Sequence, residues 1–202
     1  MAILYIETNF LMSIATGRDP EASNLLMQIP TSVQLIIPSI CYMESLSALE
    51  DEVKRHNYFK QQLENQISEV NRDLTSQHAG SLFFNLGQSR IDHERRLYDI
   101  NLRLRQAIEL LSQKCEMIVL TAEIIQKSLN VTIIAKDPTD NLILHCILNH
   151  ACLHPKETKV FLSGNIREFR KLPEVQYALQ EAGIEKYFSR TEDFIGWLQT
   201  HS

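Results

Sequence analysis

The chain of 202 residues is 44% hydrophobic and carries 20 Lys and Arg against 25 Asp and Glu, a formal net charge of -5. These values describe one soluble domain with room for a sizeable core and an insertion, and with only six Gly and six Pro they exclude collagenous and wholly disordered chains. The acidic balance argues against binding nucleic acid by bulk charge, so such a partner needs a local basic surface or bound cations.

Ala2 to Ile6 reads as a buried strand. The run is short, lacks a basic segment before it and meets Glu7 at once, so it is neither a signal peptide nor a membrane span. A cytoplasmic location with no membrane partner follows as the default. Thr8-Asn9 opens a helix-like stretch, Phe10 to Ala15, ending near Gly17, and Asp19-Pro20 starts a second short helix. Val33 to Ile37 is a β-branched run closed by Pro38, and Ser39 is placed to cap a helix carrying Tyr42, Met43, Leu46 and Leu49. Strand, helix, strand, helix is the order of a parallel α/β sheet.

From about Glu50 to Lys114 Gly and Pro nearly vanish. Leu63, Ile67, Val70 and Leu74 form one narrow apolar stripe; Leu97, Ile100, Leu104, Ala107 and Leu111 form another. The spacing predicts an antiparallel helical hairpin joined around His78 to Ser89, inserted in a single 1–202 α/β domain. The α/β pattern resumes with a strand at Met117 to Leu120, a helix over Thr121 to Leu129 and a short segment at Ile133-Ile134. Asp137-Pro138-Thr139-Asp140 then starts a helix running to about Cys152. Val160 to Leu162 is a strand followed by the loop Ser163-Gly164-Asn165. A helix stopped by Gly183, a strand over Ile184 to Phe188 and a helix over Thr191 to Leu198 complete the chain. The four cysteines show no CxxC pair and suit reduced thiols.

The informative pattern is where acids fall relative to strands. Glu7 follows the first strand, Glu44 lies in the first turns after the second, Asp140 opens a helix, and Asn165 follows a later strand. Ligands of parallel α/β sheets bind outside the carboxyl ends of the strands, where residues distant in sequence converge. Several oxygen donors in one crevice suit a hard cation, Mg²⁺ or Mn²⁺.

This arrangement resembles the PIN-domain family of metal-dependent nucleases. The resemblance is carried by Leu4-Tyr5-Ile6-Glu7-Thr8-Asn9-Phe10-Leu11, Ile37-Pro38-Ser39 with Glu44, Asp140-Asn141-Leu142-Ile143-Leu144, and Phe161-Leu162-Ser163-Gly164-Asn165 with Phe169, and it continues through Pro173-Glu174-Val175, Gly183-Ile184 and Asp193-Phe194-Ile195-Gly196-Trp197-Leu198, covering most of the chain except the hairpin. It implies a PIN-like parallel sheet in a three-layer α/β/α sandwich, and an endoribonuclease that hydrolyses phosphodiester bonds of RNA with Mg²⁺ or Mn²⁺. By resemblance, Glu7 replaces the family's first acid, usually Asp, Glu44 matches the second and Asp140 the third, all three as metal ligands. Asn165 falls where many members have a fourth acid; Thr8 or Asn9 would orient the first carboxylate, and Ser163 would sit beside the metal. Two departures stand out. Glu7 is one methylene longer than Asp, about 1.5 Å, against Mg²⁺ distances of about 2.0 to 2.1 Å, and Asn165 lacks the charge.

Each residue also has a plainer reading. Asp137 is a natural helix N-cap, and Asp140 could be a capping-box acid or a favourable charge at a helix N-terminus, worth about 0.3 to 1 kcal/mol. Glu7 could pair with a Lys or Arg, and Asn165 could be a turn residue. Glu44, on an otherwise apolar helical stretch, is the hardest to explain structurally. Cys146, His150 and His154 are spaced for zinc, but the helix ends before a shared face can form. Between Glu50 and Lys114 ten basic and ten acidic residues cancel, and Arg90, Arg95, Arg96, Arg103 and Arg105 gather in the second arm. Two rivals to the nuclease stand: a catalytically inactive interaction module that binds a protein partner or a second copy through the hairpin, and a toxin neutralised by a partner protein.

Overall fold

In the computed structural model, which describes residues 1–201, the first strand, β1 (Ala2–Ile6), lies at the centre of a five-stranded parallel sheet. β2 (Val33–Pro38) and β4 (Thr158–Leu162) flank it, β3 (Glu116–Ile118) pairs beyond β2, and β5 (Ile184–Phe188) beyond β4. The order is β3-β2-β1-β4-β5. Ile3, Leu4, Tyr5 and Ile6 are all buried, as strands covered by helices on both faces require. The order reverses between β1 and β4, which opens a crevice at their carboxyl ends.

Nine helices are found among the described residues: α1 (Thr8–Thr16), α2 (Pro20–Met27), α3 (Ile40–Val70), α4 (Ala79–Lys114), α5 (Ala122–Asn130), α6 (Pro138–Leu153), α7 (Ile166–Phe169), α8 (Pro173–Glu181) and α9 (Thr191–His201). They sandwich the sheet in three α/β/α layers, with α1 packed on α2, α3 and α4 and with α5 packed on α6. None is long and apolar enough to cross a membrane among the described residues.

Polar side chains finish the helices and tie them together. Asp19 accepts from the Ala22 N–H at 3.1 Å to cap α2, and from the Thr191 hydroxyl at 2.8 Å to fix the start of α9. Arg103 Nε on α4 donates to the Ala15 carbonyl at the end of α1, at 2.8 Å, and Lys114 Nζ donates to the Met27 carbonyl at the end of α2, also at 2.8 Å. The buried Lys159 donates to the carbonyls of Ala151 and His154, closing the end of α6.

The two long arms pack along the expected stripe: Leu63 of α3 is buried, as are Ile100, Leu104, Ala107 and Leu111 of α4. Their boundaries differ from the sequence reading. No break occurs at Glu50, because Ile40–Val70 is one continuous helix. The connection is residues 71–78, so Leu74 leaves the stripe and is exposed, while Gly80 to Ser89 are helical. The gathered arginines are mostly engaged within the hairpin: Arg95 pairs with Asp92, Arg96 meets His56, Arg105 meets Asn101, and Arg103 holds Ala15.

Two local expectations, the cap of α3 and the extent of the third strand, are corrected. Ser39 makes no side-chain cap on α3; its hydroxyl accepts from the Leu120 N–H at 3.2 Å, joining β2 to the residues after β3. The short Ile133-Ile134 segment is held by Asn141, whose Oδ1 accepts from both N–H groups at 2.9 and 3.0 Å. The third strand begins at Glu116 and ends at Ile118, short of Leu120.

Two glycines make opposite predictions. Gly183 has φ +76°, and a Cβ there would stand 3.0 Å from Lys159 Nζ, which is pinned by its two carbonyls. Gly183→Ala is expected to destabilise by about 1 to 3 kcal/mol. Gly87, inside α4 with nothing within 4 Å of an added Cβ, is expected to stabilise by about 0.5 to 1 kcal/mol when changed to Ala. Denaturant unfolding of both variants checks the pair; a stabilised Gly183→Ala would contradict the account of that turn.

Candidate active site

The crevice between β1 and β4 gathers acids from five places in the sequence. Glu7, the residue after β1, is the N-cap of α1: its Oε2 accepts the Asn9 N–H at 2.6 Å. The extra methylene lets the carboxylate fold back on the helix it starts. Glu7 is only 1% exposed and its Oε1 has no hydrogen-bond partner. Burial pushes its pKa up to about 7, with Asp140 and Glu44 adding to the rise, while the Asn9 N–H and the nearby Ser163 hydroxyl oppose it.

Glu44 sits in the first turns of α3, half-buried, and the Thr8 hydroxyl donates to its Oε2. Its pKa is raised, mainly by burial and also by Asp137. Asp137 caps α6, its Oδ1 accepting from the N–H groups of Thr139 and Asp140 at 2.9 and 3.1 Å. That places Asp140 one turn in, 7% exposed, with its Oδ2 accepting from Asn165 Nδ2 at 2.8 Å. Burial, followed by Asp137, Glu44 and Glu168, lifts Asp140 to about 7. Asn165 caps α7 through Oδ1, and its own N–H donates to the Ser163 hydroxyl at 3.0 Å.

Sequence reasoning located these residues but not all their partners. Thr8 orients the second acid and not the first, which is held by Asn9 through its backbone. Asn165 presents its amide nitrogen to Asp140 while its oxygen accepts from the Glu168 N–H. Glu168, buried at the first turn of α7 and close enough to raise Asp140, was missed. Its signal was the Asn-x-x-Glu spacing from Asn165, the form of a capping box.

None of Glu7, Glu44, Asp137, Asp140 and Glu168 is in an ion pair among the described residues, which removes the reading of Glu7 as half of a salt bridge. Also among the described residues, no three His, Cys, Asp or Glu side chains stand close enough together to hold a metal ion as they are. The donor set nevertheless suits a hard cation. All the donors are oxygens, one Glu7 oxygen is buried without a close hydrogen-bond partner, and the pKa values of Glu7 and Asp140 are raised to about 7, by burial first and by neighbouring carboxylates after it. Two of the residues spaced for zinc, His150 and His154, are engaged with other groups. His150 is held between the Tyr5 hydroxyl at 2.9 Å and Glu116 at 3.1 Å, and it stacks on His154.

A family model described as PIN domain matches residues 4–169. The chain therefore belongs to the PIN-domain family. The match runs through the helical hairpin and stops at Phe169, before α8, β5 and α9. No curated protein and no solved structure matches the chain.

The raised acids fix the sign of a pH effect. A carboxyl whose folded pKa lies above its ordinary value stabilises the fold while it holds its proton, and that contribution is lost as pH rises through the folded value. For Glu7 and Asp140 the window runs from the ordinary carboxylate range up to about 7. Metal-free protein is expected to melt about 5 °C or more lower at pH 8 than at pH 5.5. Asp140→Asn should flatten the slope. Thermal melts in EDTA measure it, and a Tm that rises over this range would contradict the assignment.

Proposed function

We propose that this PIN-domain protein is a Mg²⁺- or Mn²⁺-dependent endoribonuclease, with Glu7, Glu44 and Asp140 as metal ligands and Asn165 orienting Asp140. The observation that carries the reading is the way the three carboxylates are held. Each accepts a hydrogen bond on one oxygen, from Asn9 N–H, Thr8 hydroxyl or Asn165 amide. None is in an ion pair with a Lys or Arg among the described residues, and the second oxygen of Glu7 is buried with only the Ser163 hydroxyl near the carboxylate. Buried acids arranged this way are destabilising unless protons or cations compensate them.

When bound, the cation supplies neutralisation of phosphate charge and activation of water for in-line attack. The chain supplies orientation. Thr8 and Asn165 fix two carboxylates by hydrogen bonds, and Ser163 stands between Glu7 and Asn165. The N-terminus of α6 directs its N–H groups to Asp137, which keeps that acid a cap beside the ligands. Asn165 offers an N–H to the site in place of the charge of a fourth acid, which lowers the expected metal affinity.

A second reading is supported by the far end of the hairpin, where Phe83 and Phe84 are exposed beside the connection that carries the exposed Leu74. In it the fold serves as a scaffold and the hairpin binds a protein partner or a second copy.

The experiment is cleavage of a single-stranded oligoribonucleotide with Mn²⁺, together with calorimetric Mn²⁺ binding. Wild type is expected to bind and cleave, and Glu44→Ala and Asp140→Asn to lose about 100-fold or more in rate. Equal rates in the variants, or a wild type that binds no Mn²⁺, would overturn the nuclease; absence of Mn²⁺ binding favours the scaffold.

A further inference from the structure

Beside the acids, a cavity of about 330 Å³ opens between the start of α1, the turn into α2 and the β5–α9 connection. We propose that this cavity is the subsite for the nucleotide adjoining the scissile phosphate of a single-stranded RNA, with Arg18 and Arg190 facing its phosphate and the Asn9 side chain and Ser189 facing its base. The proposal rests on the nuclease reading above; Arg18, Ser189 and Arg190 lie outside the motifs quoted for the family, and Asn9 gains a second role through its side chain.

Position is the first argument. Asn9 and Ser163 line the cavity and also belong to the acid cluster, Asn9 through its N–H on Glu7 and Ser163 through Asn165 and Glu7. A chain whose phosphate lies at the acids therefore has its neighbouring nucleotide at the cavity wall. The Asn9 side chain is exposed there and makes no hydrogen bond among the described residues, which leaves one donor and one acceptor group for a base edge.

Charge is the second. The acid cluster repels every phosphate except one screened by a cation, so an adjoining phosphate needs its own positive partner. The Arg18 side chain is exposed and enters no ion pair or hydrogen bond among the described residues, only its backbone N–H donating to the Ser13 carbonyl at 2.9 Å. Arg190 pairs with its neighbour Glu192 on the surface, a pair open enough to exchange for a phosphate. The acid between them, Asp19, is already committed to the Ala22 N–H and to Thr191. Glu21 and Glu192 also line the cavity and are exposed to solvent.

Shape is the third. Phe10 and Leu162 give the cavity an apolar floor. Its volume lies at the small end of ligand pockets, which run from about 300 Å³, so it suits one nucleotide and not a duplex. Unstacked bases of single-stranded RNA are the form that such a pocket can read.

The test separates this subsite from the chemistry beside it. Adenosine 5′-monophosphate and inorganic phosphate are titrated by NMR into metal-free wild type and Arg18→Ala, and steady-state cleavage of an oligoribonucleotide is measured with Mn²⁺. The nucleotide is expected to bind more tightly than phosphate, and Arg18→Ala to weaken it about five-fold or more. In cleavage, Arg18→Ala should raise KM by a similar factor with kcat changed less than about two-fold. Nucleotide binding that Arg18→Ala leaves intact, or that is no tighter than phosphate, overturns the subsite even if RNA is cleaved. Arg18-dependent nucleotide binding without any RNA cleavage upholds the cavity as a nucleotide site and removes the nuclease reading instead.

Discussion

Five carboxylates gather at one edge of the sheet, and among the described residues none of them is in an ion pair. Left in water they would cost nothing; buried they repel each other and lose hydration. The fold answers with hydrogen-bond donors and helix ends. Glu7, Asp137 and Asn165 are the N-caps of α1, α6 and α7, so three helices start at the cluster and direct their N–H groups into it. Each end is worth about 0.3 to 1 kcal/mol to a nearby negative charge. That is too little to offset the burial of Glu7 and Asp140, and both acids are held near neutrality as a result. The site is thus a place where the fold tolerates a defect that a cation or a proton relieves.

The rest of the molecule holds that edge still. β1 lies between β2 and β4 with Tyr5 opposite Ile36 and Phe161, which fixes where Glu7 emerges. α4 anchors the ends of α1 and α2 through Arg103 and Lys114, so the helix that starts at Glu7 is secured at its other end by the hairpin. α3 carries Glu44 in its first turns and the hairpin seam in its later ones, as one continuous rod. The hairpin is therefore built into the site's support on both arms.

Much of this was legible in the sequence, for reasons that are local. Strand β1, the cap Asp137 with Pro138, and the stripe of α4 are written in short-range periodicity and capping chemistry, and each was found where the structure has it. What local pattern could not supply was the identity of partners across the fold. Thr8 sits next to Glu7 in sequence but serves Glu44, because a side chain one residue into a helix faces a neighbouring element and not its own cap. Ser39 has the composition of a cap and instead bonds the chain after β3. Glu168 carried a readable capping signal that lost out to the stronger pattern of acids at strand ends. Asn165 was expected as an oxygen donor, yet its oxygen is taken by the helix it starts, which turns its nitrogen to Asp140.

The net charge of -5 acquires a location. Ten bases and ten acids cancel between Glu50 and Lys114, so the surplus, ten bases against fifteen acids, belongs to the α/β part, where five of the fifteen line one crevice. An acidic crevice opposes any phosphate until positive charge enters it, and at an ionic strength near 0.15 M exposed charges more than about 8 Å apart are largely screened from one another. Distant lysines and arginines, including those along the hairpin, therefore cannot compensate the cluster. Compensation has to come from within the crevice, as protons or a cation, or from its immediate rim, where Arg18 and Arg190 stand. Under the proposed nuclease function, affinity for RNA is gained locally, and the opposing charges at the acids and at the rim would give a bound strand a defined place and direction.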